Sequence, residues 1–188
     1  MCYCQKLVPT NKKLIFIDLN TRHEKHKIAL SSGDLNGIGI ELILQTFLDK
    51  NMFAQCIPIL YANIEAVEFY KQMLGLDSKF LSIDNPGEAK ENVINVINSW
   101  EQKGDPLPGK AQTKGGEYAL ASLEKAFKAV DKGWADVLVT GPINKDAIQS
   151  ANFRFPGHTE YLGEKLEIIN PLMLMCHQQL RVGVVTGH

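Results

Sequence analysis

The chain has 188 residues, 45% of them hydrophobic and 22% charged, with a formal net charge of -1. That length suffices for one domain with a real hydrophobic core, and the composition is that of an ordinary soluble globular protein. A near-neutral balance leaves no global field to attract nucleic acid or an anionic membrane, and no apolar stretch approaches the length of a membrane span.

Residues 1–26 fit no periodic pattern and read as a leader of uncertain structure: a disordered extension, or the product of an upstream start codon. Leu14 to Leu19 is too short for a signal-peptide core and no small-residue cleavage site follows it, so a cytoplasmic location is expected. The basic stretch Arg22 to Lys27 is interrupted by Glu24 and makes no charged block. Of the four cysteines, Cys2 and Cys4 are too close for a useful bridge, and Cys56 and Cys176 fall in strand-like apolar runs. Buried free thiols in a reducing cytosol are the expectation.

From Lys27 onward strand-like and helix-like segments alternate. Lys27 to Ser31 is a short apolar run ending in the turn Ser32-Gly33-Asp34. Ile40, Ile43, Leu44, Phe47 and Leu48 then recur at three- and four-residue steps, one face of an amphipathic helix. Cys56 to Ala62 predicts a strand, and Ile64 to Leu74 a helix closed by Gly75. Lys79 to Ile83 is the next strand. Asn92 to Trp100, rich in Val and Ile but interrupted by Asn, leans to strand. Gly104 to Gly116, with two prolines and four glycines, reads as a loop. Gly116 to Lys132 predicts a helix, Ala135 to Thr140 a strand, and Glu160 to Leu166 a helix. Leu172 to Cys176 and Arg181 to Thr186 predict strands joined by His177-Gln178-Gln179. This alternation predicts a layered α/β fold with a largely parallel sheet, in which ligands sit beyond the carboxyl ends of strands.

Four segments at such ends could carry chemistry. Gly33 to Glu41 (GDLNGIGIE) is a glycine-rich turn between strand and helix, suited to close backbone approach and to an anion at a helix start. It lacks the spacing of a Rossmann fingerprint or a P-loop, and a tight turn with Asp34 bonded to local backbone explains it equally well. Thr140 to Lys145 (TGPINK) offers a hydroxyl, a glycine and a lysine for a phosphate or carboxylate; a solvated Lys145 on a new helix is the plainer reading. In Gly157 to Glu160 (GHTE), Thr159 could cap a helix and His158 meet an anion, or Thr159 could be only a cap and His158 a surface residue. Thr186-Gly187-His188 ends with an imidazole past a strand, well placed for a metal, but one His is not a metal site. His177, in a tight turn, reads as a surface residue.

In order and spacing these four segments resemble the 4-hydroxythreonine-4-phosphate dehydrogenase family. That family carries G-D-P-A-G-I-G-P-E, T-G-P-x-x-K, G-H-T-E and a strand ending in T-x-H or T-G-H. The glycines, Asp34 and Glu41 match; Leu35, Asn36 and Ile40 depart from the commonest residues. The resemblance covers roughly Lys27 to His188 and implies a two-domain fold like that of isocitrate and isopropylmalate dehydrogenases, with residues 27–188 as its N-terminal part. It implies that His158 and Thr159 contact the phosphorylated substrate, that Lys145 and Asp34 lie near the site, and that His188 is one of three histidine metal ligands. It further implies NAD or NADP, a divalent metal (Zn, Mg or Co), a homodimer with its site at the subunit interface, and no nucleic-acid or membrane partner. The chemistry implied is oxidation of a secondary alcohol to a β-keto acid that loses carbon dioxide.

Three other readings compete. One is a sister dehydrogenase for another four-carbon phosphorylated acid, such as threonate or erythronate 4-phosphate. The second is a phosphate acyltransferase of related fold that needs no metal. The third is a non-catalytic remnant or fragment. The family chain is longer than this one and carries its remaining metal histidines and much of its cofactor site further along, so this chain alone is expected to be inactive.

Overall fold

The computed structural model describes residues 25–101, 105–151 and 153–184. Cys2, Cys4, nearly all of the 1–26 leader, and Thr186, Gly187 and His188 lie outside them.

Five parallel strands form the main sheet: β1 (His26–Ser31), β2 (Cys56–Ala62), β3 (Phe80–Ser82), β4 (Ile94–Asn98) and β5 (Val137–Thr140). Their order is β3-β4-β2-β1-β5, and every neighbouring pair is parallel. A parallel sheet is covered on both faces, so its central strands read as continuous apolar runs. β2 (CIPILYA) is buried along its whole length. The two-residue period divides the side chains cleanly. Leu30, Leu60 and Val96 face one cluster with Ile40, Leu44, Val67 and Tyr70 from α1 (Gly39–Thr46) and α3 (Ile64–Leu74). Ala29, Ile59, Tyr61 and Ile97 face the other, with Ala126 and Ala129 of α4 (Thr113–Asp131). The result is a three-layer α/β/α arrangement, the parallel fold class expected from the sequence.

Local chemistry sets the boundaries. The Asn63 side chain accepts from the Glu65 and Ala66 amides and starts α3; Gly75, at φ 63°, ends it. The asparagines that obscured the 92–100 segment have structural work. Asn95, fully buried, donates to the Pro58 and Lys90 carbonyls and accepts from the Lys90 amide, while Asn98 accepts from the Ile64 amide. A buried amide is tolerated in a strand when its polar atoms are satisfied. A short helix, α2 (Met52–Gln55), leads directly into β2, and β1 starts at His26, one residue earlier than expected.

Three further expectations are corrected. The segment 104–116 is not loop throughout, because α4 begins at Thr113 and includes Gly115 and Gly116. These glycines serve packing: a Cβ on Gly116 would overlap the Ala147 carbonyl of α5 (Lys145–Ser150), so α4 and α5 touch backbone to backbone. The last predicted helix, α6 (His158–Lys165), starts two residues early. Finally, Cys56 is buried as expected, but Cys176 is exposed. It lies on an antiparallel hairpin, β6 (Met173–His177) and β7 (Leu180–Val184), nearly all of whose residues are open to solvent. The hairpin forms its own two-stranded sheet rather than extending the core.

Trp100 stacks on Tyr118 of α4, with ring centroids 4.7 Å apart, and is buried, whereas Trp134 beyond the end of α4 is 51% exposed. Among the described residues no helix is long and apolar enough to cross a membrane.

Because the α4–α5 contact leaves no room for a methyl group, Gly116→Ala is expected to lower the unfolding free energy by about 1–3 kcal/mol, the usual cost of overpacking. Urea denaturation at unchanged m-value reads this directly. A variant as stable as the parent would mean that the two helices separate without penalty.

Candidate functional site

The first two sequence segments meet at the carboxyl ends of the adjacent strands β1 and β5. The Asp34 amide donates to the Pro142 carbonyl at 3.0 Å, and the Gly141 amide donates to the Ser31 carbonyl at 3.0 Å. Gly33 has φ 69°, the left-handed region, and a Cβ there would overlap the Pro142 carbonyl. Only glycine satisfies both demands.

Asp34 is buried, and its Oδ1 accepts from the Asn36 amide at 2.9 Å. This is the locally bonded turn that the plainer reading anticipated. The same carboxylate lies against α4: a Cβ on Gly115 would sit 2.6 Å from Asp34 Oδ1. The turn is held from the opposite side by Tyr70, whose hydroxyl donates to the Leu35 carbonyl at 2.6 Å. Burial, with the Asp34 and Glu41 carboxylates adding to it, pushes the Tyr70 phenol up to about 12, so it stays a donor throughout the physiological range.

Lys145 is the first residue of α5 and is exposed, as a lysine on a new helix should be. The preceding Asn144 caps the helix, its Oδ1 accepting from the Ala147 amide at 3.0 Å. The Gly116–Ala147 contact described above fixes this helix start against α4.

His158 and Thr159 open α6. Gly157 is the cap and no side chain caps the helix, so Thr159 is not a capping residue and its hydroxyl is free of that duty. Nor is His158 a surface residue. It is partly buried, its Nε2 is fully shielded and has no hydrogen-bond partner among the described residues, and burial lowers its pKa from the ordinary 6.5. α6 is anchored on α4 by Tyr161, which packs with Phe153, Phe155 and Phe127 and, through the same cluster, with Ala119 and Leu123.

α4 therefore carries all three segments: the Asp34 turn at Gly115, α5 at Gly116, and α6 at Ala119 and Leu123. Among the described residues no direct hydrogen bond or ion pair joins the side chains of Asp34, Lys145 and His158, so their placement depends on that helix. Sequence reasoning missed two participants. Ser122 of α4 accepts from the Ser32 amide at 2.8 Å and donates to the Tyr61 carbonyl, joining β1 and β2 at their carboxyl ends. Asn36 is the other. Both occupy positions where a polar residue in a helix or turn would pass as solvent-facing; only the tertiary partners show otherwise.

Among the described residues no three His, Cys, Asp or Glu side chains come together as a metal site. The predicted ligand His188 lies outside those residues.

The parallel sheet and the polar turns at its carboxyl ends make this an α/β chain, and its likeness to solved relatives puts it in the isocitrate/isopropylmalate dehydrogenase-like class. It belongs to the family described as pyridoxal phosphate biosynthetic protein PdxA, whose model matches residues 54–188. A 4-hydroxythreonine-4-phosphate dehydrogenase of Bacteroides thetaiotaomicron is 38% identical over 165 residues, covering 87% of this chain and 45% of the relative. A D-threonate 4-phosphate dehydrogenase of Cupriavidus necator is 30% identical over 164 residues, covering 86% of this chain and 49% of the relative. The crystal structure of a 4-hydroxythreonine-4-phosphate dehydrogenase from Burkholderia phymatum superposes with a TM-score of 0.77 at 27% identity, over 86% of this chain and 49% of that one. This chain thus spans about half the length of the relatives it matches.

The depressed His158 pKa means that the fold favours the neutral imidazole. Its contribution to stability is present above 6.5, the ordinary value. It is lost as the pH falls through that value toward the lower folded-state pKa, because the unfolded chain then binds the proton first. His158→Gln is expected to flatten that part of the stability–pH profile, measured as the parent-minus-variant difference in denaturation midpoint. A difference that does not change with pH would mean the folded and unfolded imidazoles titrate alike.

Proposed function

We propose that this chain forms the substrate-binding N-terminal part of a two-domain dehydrogenase that oxidises 4-hydroxythreonine 4-phosphate in pyridoxal 5'-phosphate biosynthesis. The observation that carries this reading is the buried Nε2 of His158, without a hydrogen-bond partner among the described residues, beside Thr159, whose hydroxyl does not cap the helix, at the start of α6. A neutral imidazole and a hydroxyl at a helix start form hydrogen bonds to a phosphorylated ligand without a desolvated cation. Lys145, exposed at the start of α5, supplies positive charge for the same dianion.

In the proposed reaction the secondary alcohol carbon gives a hydride to the nicotinamide ring of NAD or NADP, and the hydroxyl proton is released. The β-keto acid formed loses carbon dioxide to give 3-amino-2-oxopropyl phosphate. A divalent metal, with His188 among its ligands, would polarise the substrate oxygen. The part played by this chain's own residues is to bind and orient the phosphate end and to exclude water around it. A cytoplasmic homodimer is the expected setting. Turnover requires the region that occupies the other half of the relatives, whether on the same polypeptide or a second one.

A second reading has specific support: the Cupriavidus relative acts, by its name, on D-threonate 4-phosphate. The two substrates differ in an amino or hydroxyl group, so rates on both decide between them.

Absorbance of NADH is the test, with substrate and Zn, Mg or Co, on this chain alone and together with the second half of a relative. No turnover alone and turnover in combination is the expected result, with loss of about tenfold or more in kcat/KM on His158→Ala, the scale of one lost hydrogen bond to a charged group. Full turnover by the chain alone overturns the division of labour. Activity in combination that is indifferent to His158 overturns the assignment of the phosphate contact.

A further inference from the structure

Segment 105–112 connects the end of the β4 region to α4. At its centre Lys110 donates its amide to the Leu107 carbonyl at 3.0 Å, with Pro108 and Gly109 between them and Gly109 at φ 78°. Proline at the second position and a left-handed glycine at the third make a type II turn.

Both ends of that turn are bound by one residue. Asn36 Oδ1 accepts from the Leu107 amide at 2.8 Å, and Asn36 Nδ2 donates to the Lys110 carbonyl at 2.9 Å and to Gln112 Oε1 at 3.1 Å. The main chain of Asn36 adds two more bonds, accepting from the Gly109 amide at 2.9 Å and donating to Asp34 Oδ1 at 2.9 Å. The side chain is buried. Its amide acts as a peptide group would in a strand ladder, one acceptor and one donor directed at the two ends of the same turn.

We propose that Asn36 is a positioning residue, which clamps the Leu107–Lys110 turn onto the Asp34 turn and so fixes segment 105–112 as a rigid border of the candidate site. The inference stands on this geometry and is independent of which phosphorylated acid is bound. An alanine at position 36 retains only the two main-chain bonds. It leaves the Leu107 amide and the Lys110 carbonyl without their side-chain partner, and the turn is then tethered at one point instead of three.

The test is amide hydrogen exchange, resolved by residue, on the full chain and on Asn36→Ala, Asn36→Asp and Tyr70→Phe. In Asn36→Ala the protection of Leu107, Gly109 and Lys110 is expected to fall by about tenfold or more, since each net hydrogen bond is worth about 1 kcal/mol. Protection in β2 and α3 should be unchanged. Asn36→Asp keeps an acceptor for the Leu107 amide and the main-chain acceptor for Gly109, and loses only the bonds donated to the Lys110 carbonyl and Gln112 Oε1, so the amides of Leu107 and Gly109 should stay protected. Tyr70→Phe frees the other side of the Asp34 turn and should leave 105–112 protected. Unchanged protection of 105–112 in Asn36→Ala overturns the proposal, as does a proportional loss across the whole chain. If Asn36→Ala does not fold, Asn36→Asp decides: loss of protection at Leu107 there also overturns it. The same holds if Tyr70→Phe opens 105–112 as fully as the Asn36 variants.

Discussion

The approach of α4 to α5 at Gly116 is the contact on which the candidate site depends. Two backbones meet where any side chain would collide with a carbonyl. One residue earlier, at Gly115, the same helix leaves room for the Asp34 carboxylate. Adjacent glycines at a helix start are costly in conformational entropy. Here the cost is offset by bringing three chain segments, far apart in sequence, onto one rigid support.

The consequence is a site assembled by indirect contact. The Asp34 turn is fastened by Pro142, Tyr70 and its own Asn36 amide; α5 is seated by Gly116; α6 is seated by an aromatic cluster around Tyr161. Ser122, in the middle of α4, ties the helix to the carboxyl ends of β1 and β2. Among the described residues a handful of buried side-chain polar atoms have no hydrogen-bond partner, the Tyr118 and Tyr161 hydroxyls and Trp100 Nε1 included. His158 Nε2 is one of them, and a buried group without a partner is costly unless something else fills the gap.

Much of this was legible in the sequence. The alternation of apolar runs with three- and four-residue periodicities specified five strands and their intervening helices, because burial on both faces writes a simple pattern. The His158–Thr159 and Lys145 segments stood out through their order and spacing beside the family's motifs, since a cap or a solvated lysine would explain each one alone. What was not legible were long-range polar partners. Asn36 was visible as a departure from a familiar turn, but its bonds reach residues more than seventy positions away. The glycines of 104–116 looked like loop because glycine usually signals backbone freedom, whereas at 115 and 116 it signals absence of volume. Cys176 looked buried because its strand is apolar, and an apolar strand in a separate hairpin obeys a different rule from one inside the sheet.

The two tryptophans divide the molecule into two optical environments. Trp100 is enclosed and stacked on an aromatic ring of α4, near the border of the candidate site; Trp134 lies half in water at the far end of the same helix. Emission from Trp134 should therefore lie to the red and be open to a dissolved quencher, while that from Trp100 should lie to the blue and be shielded. The chain carries its own pair of lamps, one lighting each end of the helix that organises it, and a disturbance at either end changes the colour of only one.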